Sequence, residues 1–252
     1  MLLEVENLEI AYGDYQVVWG VSLAVAAGES VALLGPNGSG KSTVVNTISG
    51  LVPVKAGDIR FDGSSLVGRP THARAGIGIA HVLERRRVFP HLTVLQNLML
   101  GAWHVSAKPA RAKTAERVFG FFPRLEERSS QLARTLSGGE QQMLAIGRGL
   151  MARPRLLMVD EPFLGLAPQV AQQLQSVFEI LKSEGMAILF IEQNVRLALS
   201  MAGRGYVLEG GRLAVAGPAH TLIDSPEVRR VFLGSRPGQD VTNPAHAGTP
   251  HR

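Results

Sequence analysis

The sequence predicts an α/β fold with a mostly parallel sheet core, an antiparallel β part at the N-terminus and an inserted helical segment. Three observations carry this. The apolar run Ser30–Leu34 leads through a Gly-rich loop straight into a helix-forming segment, Lys41–Ser49. Strand-length apolar runs at 156–159 and 187–191 alternate with helical patterns at 169–184 and 195–201, the order that builds a parallel sheet. Between these two parts, residues 92–154 turn to helical periodicity.

Each element has a local reason. Residues 3–34 alternate and turn at Gly13-Asp14 and Ala27-Gly28-Glu29, in the manner of antiparallel strands, and Ser30–Leu34 reads as a buried strand. The helix Lys41–Ser49 ends at Gly50. Gly57-Asp58 and Asp62-Gly63 frame a short strand, 59–61. Residues 93–99 and 110–122 are candidate helices, with Pro109 and Pro123 as punctuation. After the second half of the core, 205–208 and 212–215 form a hairpin around Glu209-Gly210-Gly211. One domain is expected over 1–235, with 1–91 and 155–235 as core and 92–154 as insertion. The Pro/Gly-rich stretch 236–252 has no apolar period and is expected to be a disordered tail.

Composition narrows the function classes. The 252 residues hold 45% hydrophobic and 19% charged side chains, enough to bury a core. Cysteine is absent, which excludes disulfides, zinc–thiolate centres and a Cys nucleophile. No apolar run reaches the ~18 residues of a membrane span, and the N-terminus lacks the pattern of a secretion signal. The expected location is the cytoplasm. The net charge is +5, but arginine is scattered apart from the run Arg85-Arg86-Arg87, so no nucleic-acid partner is expected.

The loop after Ser30–Leu34 carries the chemistry. Gly35-Pro36-Asn37-Gly38-Ser39-Gly40-Lys41-Ser42-Thr43 fits the phosphate-loop pattern in its required place, between a strand and a helix. Gly35, Gly38 and Gly40 let the backbone curl with its N–H groups inward, and the helix N-terminus adds partial positive charge. Lys41 reaches the β/γ-phosphates, and the Ser42 hydroxyl is the expected Mg²⁺ ligand. This signals a bound nucleoside triphosphate without saying what its energy does.

The run 156–159 ends in Asp160-Glu161-Pro162. An apolar strand that stops in two carboxylates puts them at the rim of the sheet. Asp160 can hold Mg²⁺ through its waters, and Glu161 can polarise an attacking water. The third piece is Leu136-Ser137-Gly138-Gly139-Glu140. Ser137 and Glu140 form a capping box for a helix over 141–151, while Gly138 and Gly139 bare N–H groups that can receive an anion.

With these three pieces the chain resembles the ABC ATPase family over about residues 3–234, an ABC-type nucleotide-binding domain. The resemblance implies that Ser137, Gly138 and Gly139 of one subunit close over ATP held by another, so two ATP are sandwiched in a head-to-tail dimer. Tyr12 stands where the family stacks an aromatic on adenine. The stretch Glu84-Arg85-Arg86-Arg87-Val88-Phe89-Pro90 looks like the ATPases of branched-chain amino-acid importers. So do Asn97-Leu98, Gly165-Leu166-Ala167-Pro168 and Glu192-Gln193-Asn194. By this resemblance Glu84 senses the γ-phosphate and joins Ser42 and Asp160 around Mg²⁺, Gln193 replaces the usual His switch, and Ala167 replaces an Asp. Leu83, Arg85, Phe163 and Gly149 depart from the subfamily pattern, which bears on coupling more than on nucleotide binding.

The implied partners are two transmembrane permease subunits, a related ATPase subunit (or a second copy of this chain) and, indirectly, an extracytoplasmic solute-binding protein. The implied place is the cytoplasmic face of the membrane. Import of urea, amides or another small polar solute is the nearest alternative. A soluble ABC ATPase outside transport fits less well, since the chain carries one motif set and no sustained heptads. A non-hydrolysing regulatory module is disfavoured by Lys41, Asp160 and Glu161.

Overall fold

The computed structural model describes residues 1–104 and 107–233; the tail expected at 236–252 lies outside the described residues. The strands are β1 Leu3–Tyr12, β2 Tyr15–Val25, β3 Ser30–Leu34, β4 Ala56–Phe61, β5 Ser64–Ser65, β6 Ile79–Val82, β7 Leu156–Asp160, β8 Ala187–Glu192, β9 Arg204–Glu209 and β10 Arg212–Pro218. The helices are α1 Lys41–Ser49, α2 Thr71–Gly76, α3 Val94–Gly101, α4 Arg111–Phe121, α5 Pro123–Glu127, α6 Gly138–Met151, α7 Pro168–Ser183, α8 Val195–Met201, α9 Ala219–Leu222 and α10 Pro226–Leu233.

They form two sheets. One is antiparallel, in the order β2-β1-β4-β5; the other runs β10-β9-β3-β8-β7-β6 and is parallel except for its edge strand β10. One expectation needs correcting here. Ser30–Leu34 does not continue the antiparallel series: it pairs in parallel with β8 and β9. Its five residues are all buried, which fits a strand covered on both faces; the half-exposed alternation of β2 belongs to a strand covered on one.

The central strands divide their side chains between two cores. Leu157, Val159, Ile188 and Phe190 face the layer of α3, α4, α6 and α7. Leu156, Met158, Leu189 and Ile191 face α1 and the antiparallel sheet. A period of two residues thus decides which layer each side chain joins. No helix among the described residues is long and apolar enough to cross a membrane.

The link into the helical layer is pinned by one buried amide. Asn97 Oδ1 accepts from Phe89 N at 2.8 Å, and its Nδ2 donates to the carbonyls of Phe89, Thr93 and Leu92 at 3.0, 3.0 and 3.3 Å. Thr93 and Gln96 close a capping box at the start of α3.

Two sequence departures have packing reasons. Phe163 is buried edge-on against Phe178, which meets Phe190 edge-on in turn, so the aromatic extends the core beneath the loop after β7. Gly149 faces β6: a Cβ there would lie 2.9 Å from Val82 Cγ2 and 3.5 Å from Leu157 Cδ1. Helix propensity alone favours Ala at this position by ~0.8–1 kcal/mol, but overpacking typically costs about 1–3 kcal/mol. Gly149→Ala is therefore expected to lower stability by about 1 kcal/mol in urea unfolding; a gain would show that packing against Val82 is not what keeps the glycine.

Candidate functional site

Three parallel strands deliver the site. β3 and β8 pair with Leu34 opposite Glu192, and β7 and β8 with Asp160 opposite Ile191. The residues that follow each strand, Gly35, Gln193 and Glu161, therefore leave the sheet at one edge, where open parallel sheets bind ligands.

The phosphate loop is wound around its own lysine. Lys41 is buried, and its Nζ donates to the carbonyls of Gly35 at 2.8 Å and Pro36 at 3.1 Å. Burial pulls its pKa below the ordinary range, while Glu161, Asp160 and Glu192 oppose that shift. Gly40 caps α1 at φ 99°, a left-handed conformation that glycine adopts without a Cβ penalty. Ser39 is enclosed, and its Oγ has no hydrogen-bond partner. Its hydroxyl is shut off from solvent.

A cavity of about 570 Å³ opens above this loop. Asn37, Gly38, Gly40, Lys41, Ser42, Thr43, Glu84, Glu161 and Gln193 line it, together with Val17, Arg85 and Leu164. Six residues of the loop and three of the other sequence-chosen residues thus meet in one place. A larger space of about 850 Å³ between α4 and the end of α7 holds none of the motif residues, so size alone is a poor guide to the chemistry here.

One carboxylate here is strongly perturbed. Asp160 is buried, which together with Glu161 and Glu84 pushes its pKa up to about 6; the Ser42 hydroxyl hydrogen-bonds it and Lys41 attracts it, pulling the other way. Glu161 has φ 47°, left-handed for a residue with a side chain, and its N–H donates to Ile191 O at 2.9 Å. Gln193 Nε2 donates to Glu161 Oε1. Glu84 sits at the cavity wall with its carboxylate 3.3 Å from Arg85 Nε, a solvent-exposed pair worth little.

Tyr12 and the signature stand apart. Tyr12 ends β1 half-exposed and is not among the residues lining the cavity. Ser137 caps α6 from outside the cavity: its Oγ accepts from Glu140 N at 3.3 Å, and Glu140 Oε2 accepts from Ser137 N at 2.8 Å. Gly138 and Gly139 occupy the first turn of α6. A Cβ on Gly139 would meet Val170 Cγ1 at 3.0 Å.

One residue near the site was quoted in the sequence only as part of a motif. Glu192 is buried and accepts hydrogen bonds from the backbone N–H groups of Asn194, Gln193 and Phe163, which ties the loop carrying Gln193 to the loop after Glu161. Its Oε1 has no partner. Its apolar neighbours in the sequence hide it within a strand; only burial marks it out.

A metal would find an incomplete site. Among the described residues no group of three His, Asp, Glu or Cys side chains could hold an ion. Asp160 and Ser42 lie within hydrogen-bond reach of each other beside the loop, a sparse oxygen pair that suits an ion completing its shell with water and phosphate.

Comparison with known proteins gives the family. The model of the ABC transporter family matches residues 18–164. The chain belongs to that family of ATP-binding proteins. It is 44% identical to the high-affinity branched-chain amino acid transport ATP-binding protein BraG of Pseudomonas aeruginosa, over 92% of this chain and 100% of that protein. It is 35% identical to the lipopolysaccharide export system ATP-binding protein LptB of Escherichia coli, over 92% and 97%. The ADP conformation of MJ1267, an ATP-binding cassette of an ABC transporter, superposes with a TM-score of 0.82 at 26% identity, over 93% and 99% of the chains.

The buried Glu192 generates a pH prediction. Burial, then the charge of Glu161, raises its pKa from 4.5 to about 7. Between those values the folded chain keeps a proton that the unfolded chain has released, so stability falls as pH rises through this window. Asp160 adds a slope of the same sign. Urea unfolding at pH 5 and pH 8 should show Glu192→Gln losing less stability over this interval than the wild type, by roughly 2 kcal/mol. Equal losses would mean that Glu192 carries no shifted proton.

Proposed function

We propose that the chain is the ATP-hydrolysing subunit of an importer of branched-chain amino acids, seated on the cytoplasmic face of two transmembrane permease subunits. A related ATPase is its expected partner across the nucleotide sites. The observation that carries the ATPase reading is the single cavity where the phosphate loop, Glu161, Gln193 and Glu84 converge. The likeness to BraG, whose name gives the solute, supports the choice of cargo.

The residues act in sequence. The N–H groups of Gly38 to Thr43 and the start of α1 receive the phosphates of ATP. Lys41 exchanges the carbonyls of Gly35 and Pro36 for the β/γ-phosphates. Ser42 and Asp160, with Glu84, would hold Mg²⁺, which would supply positive charge against the phosphates. Glu161 accepts a proton from the attacking water, and Gln193 holds its carboxylate in place by the bond to Oε1. Adenine stacks on the exposed ring of Tyr12. Ser137, Gly138 and Gly139 serve the ATP of the facing subunit, which is why they lie outside this chain's own cavity.

Permease contact falls to a second groove. A space of about 510 Å³ between the sheet core and the helical layer is lined by Leu51, His81, Leu83, Phe89, Trp103 and Arg148, among others. Leu51, Phe89 and Trp103 are exposed, and Phe89 and Leu83 directly adjoin the segment that carries Glu84. A permease helix seated there can feel the state of the nucleotide through this short stretch of chain.

Glu161→Gln is expected to bind ATP with near-normal affinity and to hydrolyse it about 10²–10⁴-fold more slowly; unchanged turnover in a phosphate-release assay would remove Glu161 from the mechanism. Lys41→Ala should lose ATP binding itself, measured with a fluorescent nucleotide. Leu51→Glu should keep ATP binding and lose co-purification with the permease; retained co-purification would place the permease elsewhere. The cargo is tested by leucine uptake in cells lacking the gene: uptake at the wild-type rate would exclude this solute.

A further inference from the structure

Between Glu84 and the pinned link at Phe89 the backbone takes an unusual path. Arg85, Arg86 and Arg87 all have left-handed φ values, 62°, 66° and 38°. Arg87 N donates to Arg85 O at 2.7 Å, so Arg86 is the centre of a γ-turn of the rare, strained hand. The turn is held from its downstream side. Arg148 Nη2 donates to Arg87 O at 2.7 Å, and Arg148 Cζ lies 5.1 Å over the ring of Phe89, whose backbone is bonded by Asn97.

The strain has a visible consequence: it throws the Arg86 side chain onto the signature. A Cβ built on Gly138 would sit 2.8 Å from Arg86 Cζ and 2.9 Å from Nη2. Arg86 forms no hydrogen bond or ion pair among the described residues. The nearest signature carboxylate, Glu140, is engaged by Ser137 N and lies 3.3 Å from Arg128 Nε. A half-buried guanidinium thus stands unpaired beside the positive end of a helix, with no anion of its own chain to meet it. Strain of this kind persists where the surroundings over-determine it, and it clusters at functional positions.

We propose that Arg86 acts in trans: when two ATPase subunits close, its guanidinium binds the γ-phosphate of the ATP held on the facing subunit's phosphate loop, beside Ser137 and Gly139. The inference rests on the ATPase reading above and adds a residue to it. It gives the glycine at 138 a second duty, since any side chain there would displace the guanidinium. It also makes the segment a short mechanical link. Glu84 lines this chain's own cavity, and Arg86, two residues on, reaches the half-site that serves the other.

The test uses the transporter assembled with its permease and both ATPases. Each ATPase is labelled separately by photoreactive ATP trapped with vanadate. Arg86→Ala should lower trapping on the facing subunit about tenfold or more, and by more than on this chain. ATP affinity of the isolated chain, which reports its own loop, should not change. Arg86→Lys should restore part of the trapping, because a cation remains. Arg86→Gly should raise the melting temperature of the isolated chain while trapping on the facing subunit falls, an opposition that a purely structural arginine would not produce. Unchanged trapping on the facing subunit, or equal losses on both, would overturn the assignment. Absence of trapping in the unmodified transporter would instead count against the ATPase reading itself.

Discussion

The parallel register of β3, β8 and β7 is the constraint on which the rest of the molecule depends. These strands are covered on both faces, so each must be apolar along its length and can turn polar only where it leaves the sheet. With Leu34 opposite Glu192 and Asp160 opposite Ile191, the three exits coincide. A lysine, three carboxyl groups and an amide are thereby gathered at one edge of a dry layer. Low polarity around them then moves their pKa values: Lys41 down, Asp160 and Glu192 up.

The phosphate loop and the signature helix share one local design. Each exposes N–H groups suited to an anion, and each is satisfied by a replaceable internal partner. Lys41 rests on two carbonyls of its own loop, and Ser137 and Glu140 close a capping box on each other. Exchanging such bonds for bonds to phosphate costs little net energy, because donors and acceptors stay paired throughout. The two sites are nevertheless held apart, one on the sheet edge and one on the helical layer. This arrangement is the physical basis for reading the complete site as shared between subunits.

Unfavourable backbone conformations gather between these sites. Glu161 and the run Arg85 to Arg87 are left-handed without being glycine, at a cost of order 1–2 kcal/mol each. Their surroundings hold them: Ile191 O fixes Glu161, while Arg148 and Asn97 fix the link beyond Arg87. Arg85 departs from the subfamily pattern, and it stands in a left-handed conformation that glycine would adopt freely. Phe163 and Gly149, by contrast, answer to packing beneath the sheet and carry no strain of their own.

Much of this was legible from the amino acids alone. Short-range chemistry wrote it: a glycine and lysine pattern between a strand and a helix, carboxylates ending an apolar run, a capping box at Ser137, helices such as Lys41–Ser49 and Val195–Met201 with their stops. What the sequence could not show was which strands lie side by side. β6 leaves no clear local pattern because its four residues include His81 and follow a glycine-rich stretch, and β3 follows antiparallel strands in the sequence although it pairs with strands some 150 residues later. Glu192 and Arg86 gain their meaning the same way, one from burial between two loops, the other from a turn that lays it on Gly138. Residue types and local spacing determine what chemistry a segment can offer; only long-range pairing, which no local pattern encodes, decides which groups meet.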